Sequence, residues 1–488
     1  MIASYLALLW PSSQATVLYV LAIGSIVSPA VVCLWRLYLH PLRGIPGPKL
    51  AACTDYYRFY LDTFRDGMVK TIPELHQHYD SPVVRIGPNY VHVNDSDVYH
   101  EIFTRNSDFL KWGGFWHNRG GAALLLSVTD PKRHRTMRAA MNSFFSKGAA
   151  DRASIGFVRR LNSASDIISQ QSGERKRIDL VNIIRSLTCN TMAEVFLGDP
   201  ELVPTGCRSD LLDTLDEIGS KSLLILNFPL LQYLGAKIPP CIADSLAPGL
   251  RDLREKCNTL IRRSKEKKSD SEWLGGSGSF LVPNTDSSAM ALSAAIFELI
   301  KSLAMRHRLR GELNDYSLGS DDWSSLTKLP YLAAVVKETL RMYPSLPGLL
   351  PRVVPAGGRT IGQHYLPQGT IIAASIYAMH QNAEAYPEPT RFIPERWLIN
   401  GDKERDGCFT PFQKGNNACI GINLAYMQLY LGIAHIVKRF DLTLCESDFT
   451  DWDWIDRAGA KLARPVSVRV VQDYASAECS RGSYSNSV

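Results

Sequence analysis

Apolar residues recur every three to four positions along residues 131–146, 176–197, 288–303, 326–342 and 422–440. That spacing puts them on one face of an α-helix, so five amphipathic helices are predicted. Residues 82–95, PVVRIGPNYVHVND, read differently: two β-rich runs flank a Gly-Pro-Asn turn and predict a hairpin. Residues 355–379 predict further short strands. Strands gathered in two places among many helices do not make a β-α-β alternation. They predict a mainly α domain with small β-sheets at one side. The N-terminal region breaks the pattern. The first 35 residues carry no Asp, Glu, Lys or Arg, and residues 15–35, ATVLYVLAIGSIVSPAVVCLW, are long enough to cross a bilayer as one helix. Pro29 is tolerable there. Arg36 and Arg43 follow directly, which keeps the rest of the chain on the cytosolic side. A cleaved signal peptide is the rival reading, but neither a basic start nor a small-residue cleavage site stands out.

The chain therefore divides into a single-pass membrane anchor at 1–36, a connector at 37–49, a main domain at 50–475 and a polar tail at 476–488. Three prolines and two glycines within Pro41–Lys49 cannot continue a helix and make the connector stiff. Residues 265–280 are charged, then rich in glycine and serine, and read as a loop.

Composition adds bounds rather than identity. With 488 residues, 45% hydrophobic and 21% charged, the chain is globular and large enough for one big enzyme domain or several compact ones. A net charge of +6 suits an ordinary solvated exterior, an acidic partner or an anionic membrane, and gives no reason to expect nucleic acid. The ten cysteines are scattered with no C-x-x-C pair, which favours reduced thiols over a disulfide framework, a structural zinc site or an iron–sulfur cluster.

One cysteine has a distinctive frame. Residues 412–421, FQKGNNACIG, place Cys419 just before the helix expected at 422–440, with Gly415 and Gly421 around it. A helix start offers unpaired N–H groups and the positive end of the dipole, both of which stabilise a thiolate. Such a cysteine is either a small buried hydrophobe or an axial ligand to a haem iron.

The frame Phe412, Gly415, Cys419 and Gly421 resembles the F-x-x-G-x-R-x-C-x-G signature of the cytochrome P-450 superfamily of haem-thiolate monooxygenases. KETLR at 337–341 matches its E-x-x-R through Glu338 and Arg341, and FIPERW at 392–397 its P-E-R through Arg396. HRTMR at 134–138 stands where the family has W-x-x-x-R. The connector is similar to that of fungal members that tailor secondary metabolites, of the trichodiene-oxygenase type. The resemblance implies the cytochrome P-450 fold and haem with Cys419 as iron ligand. It implies Phe412, Gly415, Asn417 and Gly421 around the cofactor, and His134, Arg138 and Arg352 on its propionates. It also implies a monomer in the endoplasmic reticulum membrane that takes O2, an apolar substrate and electrons from an acidic NADPH-cytochrome reductase. Glu338, Arg341 and Arg396 would form a buried ion-pair network that supports the cysteine loop. Substrate would be met by the regions 105–125, 205–245 and 343–351 and by the turn near Gly459.

Two motifs depart from the family. Asn417 replaces the arginine before the cysteine, a loss of about 1.5–3 kcal/mol if that contact is charge-assisted; Lys414 is near enough to help. The family's [AG]-G-x-[DE]-T-T is PNTDSS here: Asp286 and Ser287 align with the proton-relay acid and alcohol, but Pro283 and Asn284 replace the small pair. A helix beginning near Pro283 is expected, with a rearranged segment before it, and D-S-S also reads as an N-cap. Three functions stay open: a monooxygenase, a reductase-independent haem-thiolate isomerase or dehydratase, and an anchored pseudoenzyme.

Overall fold

The computed structural model describes residues 27–116, 125–173, 177–198, 201–206, 209–213, 278–445, 452–457 and 459–475, with a few isolated positions besides. Most of region 205–245, of the 265–280 loop and of the apolar segment before Val27, as well as the tail from 476, lie outside these residues.

A five-stranded sheet lies at one side of a helical body. Its strands are β1 (Val83–Gly87), β2 (Tyr90–Val93), β3 (Leu110–Lys111), β4 (Arg352–Val353) and β5 (Ile371–Ala373), in the order β1-β2-β5-β4-β3. The hairpin β1–β2 is the one its sequence predicts. β2 joins β5 in parallel, while β4 pairs antiparallel with both β5 and β3. β1 and β2 are buried on both faces, so they read as apolar runs rather than as clean alternation.

The helical body is built from α1 (Pro131–Met141), α2 (Lys147–Gly173), α3 (Leu180–Leu197), α4 (Gly278–Lys301), α5 (Pro330–Met342) and α6 (Ile422–Arg439). α4 runs through the centre. Leu292, Ala295, Ile296 and Leu299 are buried, in one cluster with Ile183 and Leu187 of α3 and with Leu429 and Ile433 of α6. Each such Leu or Ile side chain contributes about 1.5–3 kcal/mol. α6 comes close because Gly432 has no Cβ; one built there would lie 2.6 Å from Leu292 Cδ2.

One expectation changes. α4 begins at Gly278, so the Gly/Ser-rich stretch ends in helix, Pro283 lies within it, and Asp286 sits two turns inside instead of capping it. Among the described residues no single helix is long and apolar enough to cross a membrane; Val27–Tyr38 is a shorter apolar helix with Val31, Leu34 and Trp35 exposed. The one pair that matches a span by composition, Thr285–Lys301 with Leu303–Glu312, is bent by 112°, and its first half belongs to the core.

Candidate active site

Cys419 lines a cavity of about 230 Å3 walled mainly by apolar side chains, among them Leu125, Met192, Ala291, Leu349 and Ile376. Protein surrounds the cysteine on all sides, yet its side chain keeps accessible surface because it faces this cavity. A second, more polar cavity of about 410 Å3 adjoins the first, and both are lined by Lys111, His134, Arg138, Asn417 and Ala418.

The loop that carries the cysteine is built by backbone bonds. The Cys419 N–H donates to the Phe412 carbonyl at 2.8 Å and the Ala418 N–H to that of Gly415 at 3.2 Å. Gly415 is left-handed at φ +70°, and a Cβ there would lie 2.2 Å from the Phe103 carbonyl oxygen and 2.7 Å from that of Thr104. Glycine is thus required twice over, by conformation and by space. Gly415→Ala is expected to destabilise the protein by more than about 1 kcal/mol and to shift the loop; urea unfolding checks the first and bound-cofactor content the second. Burial raises the Cys419 pKa; the Gly421 N–H and Arg138 lower it only in part. Helix-start stabilisation of a thiolate, expected from the sequence, is therefore outweighed by burial.

Beneath the loop lies the ion-pair hub. Glu338 and Arg341 are i,i+3 on α5 and both fully buried. The Glu338 carboxylate accepts from Arg341 Nε and Nη2 at 2.9 and 2.8 Å, from Arg396 Nε at 3.2 Å, from Trp397 Nε1 at 2.8 Å and from the Ile393 N–H at 2.9 Å. Arg341 Nη1 reaches the carbonyls of His380 and Pro389. His380 links hub to loop: its Nδ1 donates to the Arg341 carbonyl at 2.9 Å and its Nε2 accepts from the Thr410 N–H at 3.0 Å. Burial, then the Arg341 charge, pull its pKa down to about 3, which keeps it neutral and able to play both roles. Sequence reasoning gave His380 no role, since it ends a five-residue helix with no pattern around it.

Positively charged side chains line the cavities. α1 starts at the Asp130 side chain, which accepts from the N–H groups of Lys132 and Arg133. That start sets His134 and Arg138 four residues apart on one face. Arg138 Nη1 donates to the Ala418 carbonyl at 2.6 Å. Arg352 on β4 is 1% exposed. Its guanidinium lies 4.8 Å from the Phe103 ring and donates to the Gln413 side-chain oxygen at 3.1 Å when that amide faces its partners. Lys111 on β3, also missed from sequence, is 9% exposed. Burial, then Arg352 and Arg138, pull its pKa down to about 7. Burial, then Lys111 and Arg138, bring that of His134 to about 4. No carboxylate pairs with Lys111, Arg138 or Arg352 among the described residues. Mutually repelling buried cations without an anion are costly. The donor set fits a ligand with two carboxylates, which is what the propionates of haem supply. Lys414 lines only the second cavity, 3.2 Å from His100 Nε2.

Asp286 is not brought to this site. Arg185 Nε donates to one of its oxygens at 2.9 Å, Lys461 pairs with the other, and both cations also hold Asp216. Ser287 does line the cavity, as does Ser288. One residue along a helix is a 100° turn, so neighbours in sequence face different neighbours in space. Phe412, Gly421 and Asn417 line the cavity beside Cys419, and 344–350 and Gly459 border it as the expected substrate regions.

A sequence profile described as cytochrome P450, written cytochrome P-450 here, matches residues 242–453. The chain is 34% identical to the cytochrome P-450 monooxygenase hkm5 of Aspergillus hancockii, over 89% of this chain and 91% of that one. It is 32% identical to phqM of Penicillium fellutanum, over 91% and 90%, respectively. It is also 31% identical, over 96% and 98%, to a protein of Claviceps fusiformis named as an inactive cytochrome P-450 monooxygenase, cloA. A cysteine facing a cavity beside anion-seeking cations, together with similarity along almost the whole chain, makes this protein a member of the cytochrome P-450 family.

Proposed function

We propose that the chain is a haem-thiolate monooxygenase that oxidises an apolar secondary-metabolite intermediate, with terpenoids as the leading class. The observation that carries the reading is Cys419 on an apolar cavity flanked by buried cations that lack an anion. Cys419 would ligate the iron, and Arg138, Arg352 and neutral His134 would hold the propionates. Bound haem would supply activation of O2, using two electrons from NADPH, for insertion of one oxygen atom into substrate. The chain's own part is to hold the apolar substrate against residues such as Leu349 and Ile376 and to exclude water. The Ser287 and Ser288 hydroxyls would hand protons to the cavity that these residues line. Electrons would come from an NADPH-cytochrome reductase. The uncharged segment at 15–35, followed by Arg36, would anchor the protein in the endoplasmic reticulum membrane as a monomer with its catalytic domain in the cytosol.

Expression in microsomes with a reductase tests this. A strongly red-shifted Soret band of the reduced carbon monoxide complex and NADPH-dependent product formation would support it. The band without NADPH-dependent turnover would favour the isomerase or dehydratase. No haem in folded protein would favour the pseudoenzyme, which Asn417 motivates.

In this reading Asp286 is a tether, not the proton source. Asp286→Asn is expected to cost about 1–2 kcal/mol in urea unfolding, discounted from a fully buried pair because Asp216 is 43% and Lys461 22% exposed. The solvent isotope effect on turnover should stay unchanged; a large increase would return Asp286 to the relay.

A further inference from the structure

We infer that Cys33 and Cys53 are a redox-sensitive pair: a small-molecule disulfide such as glutathione disulfide converts them to a reversible cross-link that staples the helix Val27–Tyr38 to the body of the protein across the connector. This goes beyond the haem-thiolate reading and does not depend on it. The first observation is the face that the helix turns inward. Cys33, Arg36 and Leu37 are half-buried, while Val31, Val32, Leu34, Trp35 and Tyr38 are exposed. Positions i, i+3 and i+4 share one side of a helix. Cys33 therefore lies on the side that packs against the protein.

The second observation is what meets it there. Cys53 ends the short helix Lys49–Cys53, whose Ala51 and Ala52 are buried. Its side chain interacts with that of Cys33 through both a hydrogen bond and charge. Arg36, one turn on from Cys33, donates from Nη1 to the Cys53 carbonyl at 2.5 Å. Arg85 of β1, 3% exposed, donates from Nη1 to the Arg36 carbonyl at 3.0 Å and from Nη2 to the Pro88 carbonyl at 2.7 Å. These bonds fix the backbone on both sides of the pair, so the thiols are brought together before any covalent bond joins them. Such positioning turns closure of a disulfide into a unimolecular step.

The third is the chemistry the surroundings allow. The Cys53 thiolate attacks one sulfur of glutathione disulfide and releases one glutathione thiolate. The Cys33 thiolate then attacks the Cys53 sulfur of that mixed disulfide; the protein disulfide forms and a second glutathione thiolate leaves. The two departing thiolates take up the two protons that the protein thiols gave up, and two electrons pass from protein to glutathione. Cys53 is the first attacker because Arg85 and Arg36 face it. Burial and then Cys33 raise its pKa, and the two arginines draw it back only in part. The thiol form therefore dominates at rest, and the pair stays reduced until the small disulfide is in excess. Both cysteines are only half-buried, which leaves the small disulfide a way in.

The test incubates the full chain in microsomes with glutathione disulfide, blocks the remaining thiols with iodoacetamide and digests with trypsin without reductant. Cleavage after Arg36, Lys49 and Arg58 puts the two cysteines on separate peptides, 1–36 and 50–58, so mass analysis reads the cross-link directly. The linked peptides should appear before any other intramolecular disulfide, and dithiothreitol should separate them. They should form at least about tenfold faster in native protein than in urea, because the fold supplies the proximity. C33S should leave Cys53 as a mixed disulfide with glutathione and C53S should leave Cys33 unlinked. R36M, which frees the Cys53 carbonyl, should slow closure at least about threefold, the factor of one ordinary hydrogen bond. Closure no faster in native protein than in urea would overturn the inference, as would glutathione on both cysteines with no link between them. The readout needs neither haem nor turnover, so failure of this inference and failure of the haem-thiolate reading are seen separately.

Discussion

Glu338→Ala is expected to remove about 3–5 kcal/mol of unfolding free energy, a large part of the 5–15 kcal/mol typical of a folded domain. The carboxylate accepts five hydrogen bonds from Arg341, Arg396, Trp397 and the Ile393 backbone, and neither it nor Arg341 touches solvent. Alanine would leave a fully buried guanidinium facing a void, with carbonyls as its remaining partners. Because Arg341 and His380 pass the hub's position on to Thr410, the cysteine loop should loosen with it. Chemical denaturation read beside cofactor content is the measurement; a variant within 1 kcal/mol of wild type would show that the hub is not structural. A double variant with apolar residues at both 338 and 341 should recover part of the loss, since an unpaired buried charge costs more than no charge.

Cys419→Ala should separate ligation from folding. The sulfur faces a cavity and keeps accessible surface there, so the fold of the unliganded protein should change by less than about 1 kcal/mol. The red-shifted Soret band and any NADPH-driven turnover should vanish together. A carbon monoxide band still at the thiolate position would assign the iron to another residue. Loss of folded protein would instead make Cys419 a core residue and leave the cavity unexplained.

What the sequence made legible follows from contrast. α5 and α6 carry large aliphatic residues on one face and were predicted nearly to their ends. The 27-residue α2 buries Ala150, Ala153, Ser154, Ala164 and Ser165 along much of its inner face, so its apolar period is faint despite deep burial. The first turns of α4 have poor helix formers, so propensity does not announce them. Site residues held in a continuous motif, such as Phe412 to Gly421, could be named from order alone. Lys111 and His380 could not: one lies on a two-residue strand and the other ends a five-residue helix, and only three-dimensional register makes them neighbours of the loop. Asp286 shows the converse, since alignment found the residue and helix rotation assigned its partners.

The hub also bears on the order of folding. Its bonds join residues separated by no more than 59 positions, whereas the Arg138 bond to the Ala418 carbonyl spans 280. Short loops close with less entropy lost and close first. In refolding, amides around Glu338 and Ile393 should therefore gain exchange protection before those of α1. The platform under the cysteine would then be in place before the cationic wall swings in, and the gap between the two events is the natural moment for a flat cofactor to enter.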